Sequence, residues 1–319
     1  MWLFCVLSSH KIYIRRIFYY GWLSMKVFLK LGILSSAVLC LTACDLFDQD
    51  NKKNEFYYSN PTKGSITFKV DNKDYTLEPG AIGSVKLSPG MHSIQGSQGD
   101  KFDFMVFEQN KGGILNPNNY VYYTLSEWYV VKGHKPPASY KTYNVIINGH
   151  ELDMPLRSNS ATVIDGALFN CQFPLGKPFP EEVTINDKTT TSSVKTKCFD
   201  KQELLGYFAS EYNEDLTTSF DEDENNNTVN MTFDYTIPKP EFKQANVQKE
   251  AEKLVSFLTQ INESSNSDIH DKLNKAFHQS MIDFSDKYDS EKTNVAENEY
   301  RNQFIHQVSD FRRYGILPK

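Results

Sequence analysis

The stretch VNMTFDYTIPKPEFKQANVQKEAEKLVSFLTQI, residues 229–261, changes its period part-way along, and that change sets the fold class. Up to Ile237 the apolar residues fall on alternate positions (Val229, Met231, Phe233, Tyr235, Ile237), the spacing of a strand with one buried face. Pro238 and Pro240 then lack the N–H a ladder needs. From Gln244 the spacing becomes helical, with Val247, Ala251, Leu254, Val255, Leu258 and Ile261 on one stripe. Two more stripes follow, Ile269, Leu273, Phe277, Met281, Phe284 and Tyr288, then Tyr300, Phe304, Ile305, Val308 and Phe311, with Gly315 as the stop. Upstream as far as residue 63 the chain reads as short alternating runs. The expectation is an α+β protein: antiparallel β-sandwich regions followed by a C-terminal three-helix bundle over residues 244–315.

Working outward, a small β-domain is expected over 63–131. Its runs are Ile66/Phe68/Val70, Tyr75/Leu77, Ile82/Val85/Leu87, Met91/Ile94 and Phe102/Phe104/Val106. Val70–Tyr75 predicts a hairpin and Pro89-Gly90 a tight turn. A second β-rich region is expected over 140–240. There Asn148-Gly149 sits between Tyr143/Val145/Ile147 and Leu152/Met154/Leu156, a strong hairpin signal. Further strands are expected near 161–164, 167–173, 183–185 and 193–199. Asp200 and Glu203 have the spacing of a capping box opening a short helix with Leu204, Leu205, Tyr207 and Phe208. A hairpin leaves along Leu216–Phe220 and returns along 229–237. Within residues 65–107, "VDNKDYTLEPG" followed by "VKLSPGMHSI" resembles the PEGA-like β-modules of bacterial envelope proteins. That resemblance implies a non-catalytic β-sandwich used for surface or protein contacts.

At the other end, Lys26 and Lys30 precede an apolar run from Leu31 to Leu41, the length of a signal-peptide core and shorter than a membrane span. The run closes on Leu41-Thr42-Ala43-Cys44, which resembles the lipobox of bacterial lipoproteins. The resemblance implies a signal peptide over 1–43, cleavage before Cys44, and a diacylglyceryl anchor on its sulfur. It also implies a place in the cell envelope, at the inner or outer membrane, with the bulk in the periplasm or at the surface. Residues 44–62 then read as lipidated cysteine and polar tether. Residues 1–24 are an upstream extension, with the true start expected at Met25. The alternative, an uncleaved anchor, needs roughly 20 apolar residues, and Lys30, Ser35, Ser36 and Thr42 interrupt this run.

Losing residues 1–43 removes five of the 34 basic residues and none of the 40 acidic ones, taking the net charge from −6 to −11. Such a balance excludes nucleic acid as the expected partner, because phosphate binding needs clustered cations. With Cys44 lipidated, Cys171 and Cys198 are the remaining pair. In an oxidising compartment they are expected to form a disulfide, the alternative being two buried thiols.

Tyr120, Tyr122, Tyr123, Trp128 and Tyr129 crowd one predicted strand and cannot share a face. They are the candidate partner contact, or else a strand buried on both sides. Asp221, Asp223 and Asn225 match positions 1, 3 and 5 of a calcium loop, but Asn226 and Thr232 stand where Gly and a bidentate Glu belong. There is no H-E-x-x-H, nucleophile elbow, phosphate loop or dinucleotide fingerprint, and no cofactor is expected. The expected function is a non-enzymatic binding module with a protein partner in the envelope. The alternatives are an inhibitor or immunity protein against an envelope-acting toxin, and a cell-wall or lipid hydrolase.

Overall fold

The computed structural model describes residues 53–97, 99–130, 140–180, 192–217, 231–288 and 293–319. The early runs become β1 (Glu55–Ser59), β2 (Ile66–Val70), β3 (Lys73–Leu77), β4 (Ile82–Lys86), β5 (Gly90–Gln95), β6 (Lys101–Val106) and β7 (Gly113–Leu115). Asp71 and Asn72, with φ of 49° and 66°, supply the left-handed pair that a two-residue hairpin between β2 and β3 requires. The middle of the chain forms β8 (Tyr122–Val130), β9 (Tyr143–Ile147), β10 (His150–Met154), β11 (Leu156–Asn159), β12 (Val163–Asp165) and β13 (Ser192–Asp200). Asn148 and Gly149 turn β9 into β10, as their sequence predicts. After β13 come α1 (Lys201–Tyr207), a π-helical turn at Phe208–Tyr212, α2 (Ala245–Glu263), α3 (Ser267–Lys287), α4 (Val295–Arg313) and β14 (Ile316–Pro318).

The fold is therefore α+β. Its sheets run β14-β6-β5-β2-β3, β12-β7-β1-β4, β11-β8-β13 and β10-β9, and every pairing is antiparallel except β1 with β7. Phe56, Phe68, Val70, Leu77, Ile94 and Phe104 meet in one core drawn from the first two of these sheets. The helices share a second core of Leu254, Leu258, Phe277, Phe284, Phe304 and Val308. Met105, Phe107 and Leu317 from β6, its exit and β14 belong to that same cluster, so the helices rest on the five-stranded sheet.

Four expectations need correction. The tether over 44–62 contains β1, whose Phe56 is fully buried and whose ladder partners are β4 and β7. Residues 231–237 form no strand: their alternation does sort side chains by face, but among the described residues the one backbone–backbone bond is to Ser158, whose carbonyl takes the Met231 N–H. Phe233 and Tyr235 instead lay their rings 4.4 and 4.7 Å from that of Tyr314. Residues 167–173 turn rather than extend, because Leu168 and Phe169 both donate to the Asp165 carbonyl. And β12 pairs with β7, so one sheet spans the expected boundary between 63–131 and 140–240. The expected strand at 183–185 lies outside the described residues.

These parts converge on two buried polar side chains. The Asp165 carboxylate accepts the N–H of Ala167 (2.7 Å) on one oxygen, and those of Gly315 (2.7 Å) and Ile316 (3.1 Å) on the other. The Asn110 amide accepts from Asn54 and Gly112 and donates to Phe107 and Asn54. The backbones approach closely here: a Cβ on Gly113 would lie 2.2 Å from the Ile164 carbonyl, and one on Gly315 2.8 Å from Cα of Asn110. Only glycine fits such crossings.

Burial outweighs the three N–H donors and pushes the Asp165 carboxyl up to about 6. A carboxyl raised above its unfolded value of about 3.9 binds its proton more tightly when folded, so its contribution strengthens the fold as pH falls from about 6 toward 4. In Asp165→Asn an NH2 group must face at least one backbone donor. We expect a loss of ~2–3 kcal/mol in urea denaturation at about pH 7.5. The gap to wild type should widen by ~1 kcal/mol at about pH 5. A gap that does not change with pH would contradict this account of Asp165.

Candidate functional site

Strand β8 is central to its sheet, and its alternation decides the fate of each aromatic residue. Tyr123, Leu125, Glu127 and Tyr129 face one way; Tyr122, Thr124, Ser126 and Trp128 face the other. Tyr123 and Leu125 pack with Val145, Ile147, Phe199 and Leu204. Tyr122 enters a separate core with Ile114, Ile164, Phe169 and the cysteines, its hydroxyl 3.2 Å from Ser59 Oγ, and burial pushes its phenol up to about 12. At 1% and 2% exposure, Tyr122 and Tyr123 are core residues. Tyr120, Trp128 and Tyr129 are half-buried. The Tyr129 hydroxyl donates to the Pro180 carbonyl, and Trp128 lies 6.5 Å from Tyr140, ring to ring.

Cys171 and Cys198 are joined in a disulfide, with Cα atoms 5.5 Å apart across 27 positions of chain. Closing a loop of that length contributes ~3–4 kcal/mol in the chain-entropy model. The bridge forms part of a cavity of about 360 Å³ that also touches Tyr57, Phe169 and Leu175, with the Lys53–Glu108 ion pair (2.8 Å) at its edge.

Asp200 caps α1, its Oδ1 accepting the N–H of Glu203 at 2.8 Å. Glu203 does not complete the capping box. Its Oε1 accepts from the Lys197 ammonium at 2.6 Å and from the Gly176 N–H at 3.1 Å. Lys197 is 2% exposed; its Nζ also donates to the carbonyls of Cys198 and Pro174 and lies 4.4 Å from the Phe199 ring. Burial lowers the Lys197 pKa and raises that of Glu203, each partly offset by the other's charge. One residue pair therefore ties β13, the disulfide loop and α1 together. Its sequence signal was a lysine at an inward-facing strand position, in register with Phe199.

Beside this brace, a groove of about 850 Å³ runs between α1 and the entry to β8. Tyr120 and Val121 line it from the entry to β8, Leu205, Gly206 and Ala209 from the helical segment, and Pro61 and Pro79 from the turns nearby. Lys63 and Lys201 also line it, with no Asp or Glu among the described lining residues. Of the residues singled out from sequence, Tyr120 and Tyr123 therefore meet at this groove, while Trp128 and Tyr129 lie farther along the strand. Among the described residues no three His, Cys, Asp or Glu side chains gather as a metal site, and no helix is long and apolar enough to cross a membrane. Cys44 and the calcium-loop residues Asp221, Asp223 and Asn225 lie outside the described residues.

Comparison with protein-family models, with characterised proteins and with solved structures yields no match. Its surfaces must therefore be read from their own shape and charge.

Removing one member of the buried ion pair strands the other. Lys197→Met should cost roughly 3 kcal/mol in urea denaturation, and Lys197→Met with Glu203→Leu should recover most of that loss. Equal losses in the single and double variants would mean that packing rather than charge pairing sets the cost.

Proposed function

We propose that this chain is a lipid-anchored lipoprotein of the bacterial cell envelope, tethered through a diacylglyceryl thioether on Cys44, that binds a protein partner rather than catalysing a reaction. In this reading the β-rich part is a platform of small sandwiches, as the PEGA-like resemblance over 65–107 implies, and α2–α4 form a bundle on top of it. The observation that carries the binding role is the groove between α1 and Tyr120. Its walls are largely apolar and, among the described residues, Lys63 stands exposed at its edge, on a chain whose net charge is −6. A concave apolar surface with a cation at its edge favours a segment that presents an apolar side chain beside a carboxylate.

Gly206 offers a clean test, because a Cβ there meets nothing within 4 Å and its position is helical. A photo-crosslinking residue at Ala209 should give a discrete adduct in cells, and Gly206→Trp should reduce that adduct at least tenfold without lowering the melting temperature. An undiminished adduct in Gly206→Trp would remove the groove from consideration. Cys44→Ala should move the protein from the membrane fraction to the soluble one, and persistence at the membrane would end the lipoprotein reading.

A further inference from the structure

We propose that the Trp128 end of β8 carries a second, independent site, which receives a carboxylate or phosphate group of a small ligand. The site is a depression of about 130 Å³ on the sheet face opposite α1, bounded by Ser126, Tyr140, Lys141, Tyr143, Pro155 and Arg157. Arg157 stands on β11 opposite Thr124, which places it on the Ser126 and Trp128 side of the sheet. Its guanidinium carbon lies 5.8 Å from the centroid of the Tyr143 ring, within cation–π range.

Arg157 is half-buried, yet among the described residues neither it nor Lys141 has a carboxylate within ion-pairing distance or a hydrogen-bond acceptor. The nearest carboxylate along the strand, Glu127, is turned by strand alternation to the opposite face, where the hydroxyls of Tyr207 and Tyr212 donate to it. Two other polar groups of the wall are already engaged: the Tyr140 hydroxyl donates to the Ser126 carbonyl at 3.2 Å, and Ser126 Oγ lies 2.9 Å from Thr196 Oγ1. Among the described residues, two cations without partners therefore line a concavity that no acid lines. A planar guanidinium matches the two oxygens of a carboxylate or phosphate, and Lys141 adds a second positive charge. At about 130 Å³ the depression is smaller than the ~300–1,000 Å³ of sites that enclose a whole ligand. It suits one anionic group, with Tyr140 and Tyr143 offering ring faces to the part of the ligand next to it.

The site has a built-in reporter, since Trp128 is 6.5 Å from Tyr140 and Trp2 and Trp22 are the other tryptophans. The full chain in detergent, with Trp2→Phe and Trp22→Phe so that only Trp128 emits, is titrated with phenyl phosphate and separately with benzoate at constant ionic strength. Saturable change in Trp128 emission with either probe is expected, and which probe saturates first identifies the anion. Arg157→Gln should weaken the response at least tenfold, and Arg157→Lys, which keeps the charge and loses the fork, should fall between. Circular-dichroism melts of all variants establish that the fold is retained. A response that never saturates, or that is equal in wild type and Arg157→Gln, overturns the proposal.

Discussion

The architecture depends on a buried carboxylate that backbone N–H groups hold from three positions. Asp165 ends β12, yet it receives the chain as it leaves α4, so the second β-rich region and the helical part are joined through one side chain. Asn110 does the same for the entry at Asn54 and the exit from β6. A carboxylate suits the first task because it only accepts, and an amide the second because it must do both. The glycines at 113 and 315 stand beside these polar anchors. A Cβ on the first would meet the Ile164 carbonyl and one on the second the Asn110 backbone.

Much of the fold was legible in the sequence wherever local chemistry decides the outcome. Asn148-Gly149 and Asp71-Asn72 turn because left-handed backbone is cheap for those residues, and the three helical stripes mostly bury the side their spacing indicates, except that Ile269 is exposed while His270 beside it is buried. The pairing of Cys171 with Cys198 followed from elimination among five cysteines. What failed were inferences that needed a neighbour. Alternation over 231–237 states which side chains face inward, and the structure agrees, but a ladder also requires a strand alongside, and among the described residues the segment's backbone makes isolated bonds to Ser158, Asn159 and Tyr314 instead. β1 escaped notice because three aromatics were embedded in a polar, charged stretch. β14 has three residues, too few to show any period.

The candidate sites divide in the same way. Five aromatics over 120–129, four of them in β8, were a sound signal of something unusual, and the split between faces was predictable, yet which face is core depends on what packs there. Tyr122 and Tyr123 were claimed by two different cores, and the residues left at the surface are those at the strand's two ends. The groove wall contributed by α1, and the cations Lys63, Lys201 and Arg157, come from segments up to about a hundred residues away and carry no mark of proximity in the sequence.

The pairing of β14 with β6 has a bearing on how the protein is made. Ile316 to Pro318 meet Val106 to Phe104, so the rim of the five-stranded sheet stays open until more than two hundred further residues have been synthesised. Contacts this distant in sequence form late, since the intervening chain must be ordered before they bring any gain. Until then β6 presents bare backbone donors and acceptors, the feature through which strands from separate molecules associate. For a nascent polypeptide, that interval is a window of vulnerability, and a ribosome that stalls anywhere within the helices would leave the molecule with its most adhesive seam uncovered.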